Sequence, residues 1–279
     1  MPELPEVEFG RKVAERVALG RRIERVRCAQ DRIVFEGVAP RTVARVLRGR
    51  TVTAVRRHGK QIWFELDERP WPLIHFGMTG AFRVPEETPL PLESSARVVD
   101  RSWPPRFAKV HFWFSDGGEL VMTNARRLGR IRLQQNPLGE APLAKLGFDP
   151  LTNMPPLAEF RRLLAGRGGT VVKGLLLDQA FAAGVGNWIA DEVLYRAGID
   201  PRRKTRDLEP DEVKALHRAL RAVIRKAVSV DARKDLFPKL WLFHARWGKE
   251  SDAALSDGTP VEHMTVAGRT TAWVPSRQR

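Results

Sequence analysis

The chain begins Met1-Pro2-Glu3-Leu4-Pro5-Glu6-Val7-Glu8, a stretch that predicts both a helix and a reactive terminus. Removal of Met1, which the small residue behind it permits, would leave Pro2 as a free secondary amine beside a carboxylate. An α-amino group titrates at about 7.7–8.0 against about 10.4 for lysine, so far more of it is unprotonated at neutral pH. Attack of such an amine on a carbon at the aldehyde oxidation level gives a cationic iminium, an electron sink for covalent catalysis. Pro2 is therefore a candidate nucleophile, although a frayed terminus that merely leads into a helix is the simpler interpretation.

Composition indicates a globular protein with an anionic partner. The 279 residues suffice for two ordinary domains, and 48 Lys and Arg against 33 Asp and Glu give a net charge of +15. This charge fits DNA, RNA or an anionic membrane surface. No apolar run approaches the roughly 18 residues of a membrane span, and the terminus lacks a signal-peptide core, so we expect a soluble intracellular protein. The single cysteine, Cys28, excludes an intramolecular disulfide and a cysteine-based zinc site.

The first half of the chain predicts one helix followed by an antiparallel sheet structure. Apolar residues recur at helical spacing after Pro5, and Gly20 is a stop signal. From Arg22 to about Leu133 the pattern changes to short alternating segments separated by turns, as in a β-sandwich. The predicted strands are Ile23–Val26, Ile33–Phe35, Thr51–Val55, Gln61–Leu66, Leu73–Phe76, Val110–Phe114, Leu120–Thr123 and Ile131–Leu133. We expect a short helix over Thr42–Leu47 and a long surface loop over Pro85–Pro105.

The second half predicts helices and then a hairpin. Five prolines between residues 137 and 156 indicate a linker. The predicted helices are Leu157–Leu164, Val171–Leu177, Asn187–Ala197 and Pro210–Val228, followed by a strand over Lys239–Phe243 and a hairpin of Val261–Val266 with Thr270–Val274. The fold class is therefore α+β. The expected divisions are a β-sandwich domain over 1–136, a linker over 137–156, a helical domain over 157–236 and a terminal segment over 237–279.

Three turns in the first half have a composition suited to nucleic acid, and each also has a plainer interpretation. Gly59-Lys60-Gln61 opens a strand, where a lysine is either solvated or a point charge for phosphate. The turn after His75, Gly77-Met78-Thr79-Gly80, pushes Met78 outward unless that residue is core. The segment Asn124–Gly129, with Arg126, Arg127 and Leu128, is either a solubilising tip or a contact loop.

Two features of the second half predict anion binding. A Gly-framed turn, Gly184-Val185-Gly186-Asn187, opens a helix, and free N–H groups at a helix start favour a phosphate. Such turns alone are usually plain connectors. The tip of the terminal hairpin contains Gly268-Arg269.

Together these motifs resemble the formamidopyrimidine-DNA glycosylase (Fpg/Nei) family of base-excision repair enzymes. The resemblance covers essentially the whole chain, with five separated motifs in the same order, and it implies a helix–two-turn–helix in the second domain. By resemblance, Pro2 is the nucleophile, Glu3 the proton carrier at the sugar, and Lys60 a further catalytic-site residue that contacts phosphate. The resemblance also implies phosphate contacts from Lys173, Asn187 and Arg269, with Arg127 on the DNA as well.

The resemblance further assigns the residues that occupy the space of a flipped-out nucleotide. In the family a methionine in an H-x-G-M-x-G turn enters that space, and a D-x-R-R-F-G loop supplies an arginine and an aromatic wedge. By position these roles pass to Met78, Arg126 and Leu128. Unstacking a base costs a few kcal/mol, so filling the gap is physically useful. Leucine in place of phenylalanine keeps an apolar wedge but stacks more weakly.

The terminal hairpin departs from most of the family, where four cysteines bind zinc. The corresponding positions here are Ala254, Asp257, Val274 and Arg277, so the sequence predicts a zincless finger, no metal and no cofactor. Phe237-Pro238, Trp241 and Phe243-His244 resemble the plant-type enzymes in particular.

The resulting hypothesis is a bifunctional DNA glycosylase and AP lyase, acting as a monomer on double-stranded DNA with oxidised bases or abasic sites in a basic cleft between the domains. Family members specialised for 8-oxoguanine typically carry a longer loop after the last long helix. The short linker between Val228 and Lys239 therefore implies, by resemblance, a preference for formamidopyrimidines and further-oxidised guanines over 8-oxoguanine. A non-catalytic damaged-DNA-binding protein of the same fold and an RNA-binding protein are the alternatives. We expect a nucleoid-associated cytoplasmic protein in a bacterium or a nuclear one in a eukaryote.

Overall fold

The computed structural model describes residues 1–87, 101–247 and 253–279, so the central part of the expected loop over 85–105 lies outside the described residues. The chain forms two compact units, residues 1–145 and 146–279. Within the described residues, no helix is both long enough and apolar enough to cross a membrane.

The first unit starts with helix α1, Leu4–Ala18, as predicted. Glu3 and Glu6 form a capping box at its start, and Pro5 occupies the first turn, where the missing N–H costs nothing. The helix ends before Gly20, whose φ of +75° lies in the left-handed region that favours glycine.

Two four-stranded antiparallel sheets follow, with orders β1-β6-β7-β5 and β2-β3-β4-β8. The elements are β1 Ile23–Cys28, α2 Pro40–Leu47, β2 Val52–His58, β3 Gln61–Leu66, β4 Trp71–His75, β5 Ala81–Arg83, β6 Ala108–Phe114, β7 Glu119–Thr123 and β8 Arg130–Gln134. This arrangement, with the helical second unit, confirms the α+β fold class.

The sheets enclose one core. Phe64 of one sheet lies 5.9 Å from the rings of both Phe82 and Phe112 of the other. Helix α1 joins this core closely at Gly10, where an added Cβ would lie 2.7 Å from the Phe76 ring. The middle of α1 is therefore packed closely against the residue that follows strand β4.

The first unit differs from the prediction in two places. Ile33 and Val34 lie in a turn rather than a strand, because the Asp31 carboxylate accepts hydrogen bonds from their backbone N–H groups, and Phe35 forms only an isolated bridge to Ile131. The short strand β5 was not predicted, since three residues carry too little alternation to be recognised.

The second unit contains the predicted helices with small changes at their ends: α3 Leu157–Ala165, α4 Val172–Leu177, α5 Asn187–Ala197 and α6 Pro210–Ser229. A hairpin of β9, Glu262–Val266, and β10, Arg269–Trp273, follows. Its turn residues Ala267 and Gly268 have φ values of +50° and +69°, which matches the twist of a two-residue hairpin.

The predicted strand over Lys239–Phe243 is absent from the described residues, and Leu242–His244 forms a 3₁₀ turn instead. Trp241, Leu242 and Phe243 are all buried, whereas a strand would alternate them between two faces. Trp241 and Phe243 join Trp188 and Phe237 in an aromatic cluster.

Candidate active site and nucleic-acid interface

The start of helix α1 fixes the candidate catalytic pair. Pro2 is buried and directly precedes Glu3, the N-cap residue, which is only 3% exposed. The Glu3 side chain accepts a hydrogen bond from the third helical N–H, and the Glu6 carboxylate accepts one from the Glu3 backbone N–H at 2.9 Å. The carboxylate next to the Pro2 nitrogen therefore has a defined position before any ligand binds.

Glu6 is a second titrating group at this site that sequence reasoning did not assign. Burial, followed by the nearby charge of Glu3, raises the pKa of Glu6 to about 7. The Glu3/Glu6 pair therefore changes its charge near neutral pH. The spacing of three residues in a capping box was the available signal.

Met1 decides whether the terminus can react. Its side chain is 41% exposed, and while it is attached the Pro2 nitrogen is an amide nitrogen. An amide has no available lone pair for nucleophilic attack, so the chemistry expected of Pro2 requires the processed chain.

A buried ion pair connects helix α1 to the turn that carries Lys60. Arg57 Nε donates to Glu8 Oε2 at 2.7 Å, and its NH1 donates to the Gly59 carbonyl at 2.9 Å. The Arg57 side chain is only 1% exposed. Charge-assisted bonds of this kind are strong and directional, so the helix and the Gly59-Lys60 turn keep a fixed relation.

His75 lies in the strand beside this turn, paired with Gln61. Burial, then the positive charges of Lys60, Arg132 and Arg130, lower the pKa of His75 to about 4. The imidazole is therefore neutral at physiological pH, and its Nδ1 accepts a hydrogen bond from the Gly77 N–H at 3.2 Å.

The structure brings the Met78 turn and the 126–128 loop together. Buried Asn124 donates to the Phe76 carbonyl at 2.7 Å and accepts from the Gly129 N–H at 3.0 Å. A Cβ at Gly77, whose φ is +63°, would lie 2.4 Å from the carbonyl carbon of Leu128. Sequence reasoning did not identify Asn124 as the link, because its two partners come from different loops.

The three expected contact residues of the 126–128 loop have different environments. Arg126 and Leu128 are exposed, Leu128 by 42%. Arg127 instead donates to both carboxylate oxygens of Asp31, at 3.0 and 3.1 Å. Burial alone would raise the pKa of Asp31, but the bonds from Arg127 and Lys109 hold it well below its usual range. Arg127 thus has a structural partner, and its contact with DNA stays a prediction.

In the second unit, the Gly-framed turn before α5 is shaped by Gln179. Its side-chain amide donates to the carbonyls of Leu177 and Val185, both at 2.8 Å, and its oxygen accepts from the Gly184 N–H at 3.1 Å. Asn187 opens the helix and donates to the Thr270 carbonyl at 2.8 Å. An amide NH₂ has two donors, so this bond leaves the predicted phosphate contact chemically feasible.

Lys173 is not on the surface, which corrects its predicted role. Its side chain is 0% exposed, its Nζ pairs with Asp191 Oδ1 at 2.6 Å, and it donates to Thr271 Oγ1 at 2.6 Å. A fully enclosed ammonium cannot touch a DNA phosphate in this conformation. The sequence pattern placed Lys173 correctly near the motif but gave no sign of its buried partners.

Arg269 is exposed as the first residue of β10, directly after the hairpin turn. The turn lies against α4, where a Cβ at Gly174 would be 3.2 Å from the Ala267 Cβ. An arginine that projects from a supported hairpin tip is suited to a phosphate contact.

The four positions where the resemblance places cysteines form a different arrangement. Arg277 NH2 pairs with Asp257 Oδ2 at 2.6 Å, and its NH1 donates to the Tyr195 hydroxyl at 2.7 Å. Bonds from Thr259, then Arg277, lower the pKa of Asp257 to about 2. Val274 is fully buried in an apolar cluster. Across residues 1–87, 101–247 and 253–279, no three His, Cys, Asp or Glu side chains are grouped to hold a metal ion.

Comparison with known proteins relates these features to one family. The family model described as the formamidopyrimidine-DNA glycosylase N-terminal domain matches residues 1–131, and that described as the formamidopyrimidine-DNA glycosylase H2TH domain matches residues 146–236. The chain belongs to the formamidopyrimidine-DNA glycosylase family. A formamidopyrimidine-DNA glycosylase of Arabidopsis thaliana is 41% identical over 279 residues, which cover all of this chain and 71% of the relative. One from Thermus thermophilus is 33% identical over all of this chain and 98% of the relative.

Solved structures of the family agree. The Lactococcus lactis formamidopyrimidine-DNA glycosylase, non-covalently bound to DNA containing an AP site, matches with a TM-score of 0.80 at 25% identity over 99% of each chain. MutM in complex with DNA containing carbocyclic 8-oxo-G matches with the same TM-score and identity over the full length of both chains.

Proposed function

We propose that this chain is a bifunctional DNA glycosylase and AP lyase of base-excision repair, acting on double-stranded DNA that contains oxidised purines or abasic sites. The observation that carries the proposal is the Pro2-Glu3 pair at the buried, capped start of α1 in a chain of this family. A protein that works on DNA acts in the nucleoid of a bacterium or the nucleus of a eukaryote.

The proposed chemistry begins at the Pro2 nitrogen after Met1 is removed. Its lone pair forms a bond to C1′ of the flipped nucleotide, and the glycosidic bond breaks with its electron pair leaving on the base, which takes a proton from the solvent. Glu3 accepts the proton that the Pro2 ammonium then releases and carries it to the ring oxygen, so the sugar opens and the nitrogen becomes an iminium. The iminium acidifies the C2′ proton. Its loss expels the 3′ phosphate, and a second elimination expels the 5′ phosphate. Hydrolysis of the iminium by water then releases the sugar fragment from Pro2 and leaves a one-nucleotide gap.

The adjoining loops of the first unit suit the space of the extruded nucleotide. Half-buried Met78 and exposed Arg126 and Leu128 lie on two loops joined through Asn124. We infer that they fill the gap in the stack, which offsets the cost of unstacking. Lys60, Asn187 and Arg269 are the proposed phosphate contacts, each on a turn or an element end that the protein supports.

We also infer that residues 237–279 work as a finger without metal. The ion pair of Asp257 with Arg277 and the burial of Val274 supply packing where a metal site would otherwise give folding energy. Excision should then be indifferent to a strong chelator, and elemental analysis should find no stoichiometric zinc. Loss of cleavage with chelator, restored by zinc, would refute this assignment. The divisions at residues 136, 156 and 236 are likewise proposed.

An excision panel tests the function. Duplexes containing a formamidopyrimidine, a further-oxidised guanine, 8-oxoguanine or an abasic site would each be incubated with the processed chain under single-turnover conditions. We expect cleavage of the abasic duplex and excision of the first two bases well ahead of 8-oxoguanine. Specific binding without any cleavage would favour the alternative of a non-catalytic damaged-DNA-binding protein. A chain extended before Met1, in which the Pro2 nitrogen is an amide, is the matched control for contaminating activity.

A further inference from the structure

Three charged side chains meet in the interior of the second unit. Asp191 of α5 pairs with Lys173 of α4 through Oδ1 at 2.6 Å and with Arg246, beyond the 3₁₀ turn, through Oδ2 at 2.8 Å. The exposed fractions of these side chains are 0% for Asp191, 0% for Lys173 and 6% for Arg246. We name these residues the buried triad.

The buried triad holds three consecutive residues of β10. Lys173 Nζ donates to the Thr270 carbonyl at 3.3 Å and to Thr271 Oγ1 at 2.6 Å. The Ala272 N–H donates to Asp191 Oδ2 at 3.2 Å. The residue that precedes this bonded run is Arg269.

Stability alone does not account for the buried triad. Enclosing charges costs several kcal/mol each, and apolar side chains of similar volume often stabilise a protein as well or better. An apolar cluster of Leu242, Leu255, Val261, Ala272 and Val274 already supports the far end of the hairpin. Apolar contacts are not directional, whereas charged hydrogen bonds also fix the orientation of the groups that they join.

We propose that Lys173, Asp191 and Arg246 are positioning residues that fix β10 and thereby set Arg269 relative to Asn187 for phosphate binding. The phosphate-binding role in this inference rests on the proposed function. The fixing of β10 by the buried triad is a property of the protein without DNA. Asn187 shares the Thr270 carbonyl with Lys173, so the two proposed phosphate contacts are connected through one backbone group.

The first test uses amide hydrogen exchange on the full chain without DNA. Asp191→Asn keeps the shape of the side chain and leaves two buried cations unneutralised. We expect amides of residues 262–273 to exchange at least about tenfold faster, with residues 1–145 unchanged. Asp207→Asn alters an exposed aspartate of the same unit and is the control. It should leave amide exchange unchanged both in residues 262–273 and in residues 1–145. Unchanged exchange in the hairpin of Asp191→Asn would overturn the inference.

If Asp191→Asn does not fold, the combined variant Lys173→Met, Asp191→Leu and Arg246→Met takes its place, since it replaces the charges with apolar groups. We expect it to keep the cooperative unfolding of the chain while the hairpin amides exchange faster. Protection of residues 262–273 equal to that of the unaltered chain would overturn the inference.

The second test separates positioning from direct phosphate contact. The slope of log affinity against log salt is measured on a duplex with a tetrahydrofuran abasic analogue for Lys173→Met, Arg269→Ala and the double variant. Each loss of one cation–phosphate contact flattens the slope by about one. Positioning predicts a change of about one for each variant and about one for both together, since all lose the same contact. A change of about two in the double variant would show that Lys173 binds phosphate itself and overturn the inference. A chain that binds no lesion DNA would refute the proposed function, and the exchange result would still decide the positioning.

Discussion

The start of helix α1 and the hairpin tip both place a functional residue at the end of a regular element, but different interactions hold them. Glu3 is fixed by a capping box with Glu6, three residues away. The position of Arg269 is inferred to depend on hydrogen bonds from Lys173 to β10. Lys173 and its partner Thr271 are 98 residues apart in the chain. We expect the first region to control chemistry and the second to control affinity, so each can be altered without the other.

Glu3→Gln should produce the largest change among single substitutions at the first region. Glutamine still accepts the capping hydrogen bond but carries no proton, so base excision should fall by about 10²–10⁴. Some lyase activity on preformed abasic DNA should remain because no base must leave. Single-turnover rates on lesion and abasic duplexes measure both, with Glu15→Gln near the other end of α1 as control. Two intact activities would mean that Glu3 is not the proton carrier.

Gly77→Ala tests whether the joined loops matter to excision. The new Cβ would meet the Leu128 carbonyl carbon at 2.4 Å and push the Met78 turn away. A displacement near 1 Å costs about 100-fold in well-positioned catalysis, so we expect excision of a paired lesion to fall by at least about tenfold.

Gly117→Ala is the matched control for that change. Gly117 has a φ of +85°, comparable with the +63° of Gly77, but an added Cβ there meets nothing within 4 Å. Both variants share the backbone strain, and only one has the clash. Equal excision rates for the two variants would show that the contact between the loops is not needed.

Arg269→Ala should change affinity with little effect on chemistry. We expect weaker binding to an abasic duplex and a salt slope flatter by about one, while the yield of covalent adduct at saturating DNA is kept. Arg218→Ala removes the same charge from an exposed site on α6 and serves as the control. An unchanged slope for Arg269→Ala, or a lost adduct at saturation, would contradict the division between the two regions.

Glu6→Gln should give the smallest effect, on stability rather than turnover. Because the pKa of Glu6 is raised to about 7, the folded chain binds this proton more tightly than the unfolded chain does. The associated stability is complete below pH 4.5 and is lost as pH rises towards 7. Glutamine keeps the capping bond without the charge. The free energy of unfolding of the variant, relative to that of the unaltered chain, should therefore rise by about 1–3 kcal/mol when the pH is raised from 5 to 8. Urea unfolding at both pH values measures this gain, and an equal difference at both would show that Glu6 does not titrate in this range.

The difference between interactions among chain neighbours and interactions among distant residues also explains which features the sequence could predict. Features fixed by neighbours in the chain were predicted: helix α1, the helices of the second unit and the terminal hairpin with its turn near Ala267-Gly268. Features fixed by distant partners were not. The enclosure of Lys173 depends on Asp191, Thr271 and Arg246 meeting in space.

The errors over Ile33–Phe35 and Lys239–Phe243 have a related cause. Val34 and Phe35 in the first segment and Trp241–Phe243 in the second are buried without forming a strand, and a short apolar run does not distinguish a turn from a strand. Asn124, which joins the Met78 turn to the 126–128 loop, was overlooked for the same reason as the buried triad, since its partners come from separate parts of the chain.

Borohydride trapping with peptide mapping shows whether the Pro2 amine forms the covalent intermediate. The processed chain would be incubated with an abasic duplex and borohydride, digested, and the cross-linked peptide sequenced by mass spectrometry. A chain extended before Met1 is the matched control, since all its other residues are the same and only the Pro2 nitrogen becomes an amide. We expect a cross-link at Pro2 of the processed chain and none in the extended chain, which should still bind the duplex. A cross-link at Lys60 or another lysine, or equal trapping by the extended chain, would contradict the account.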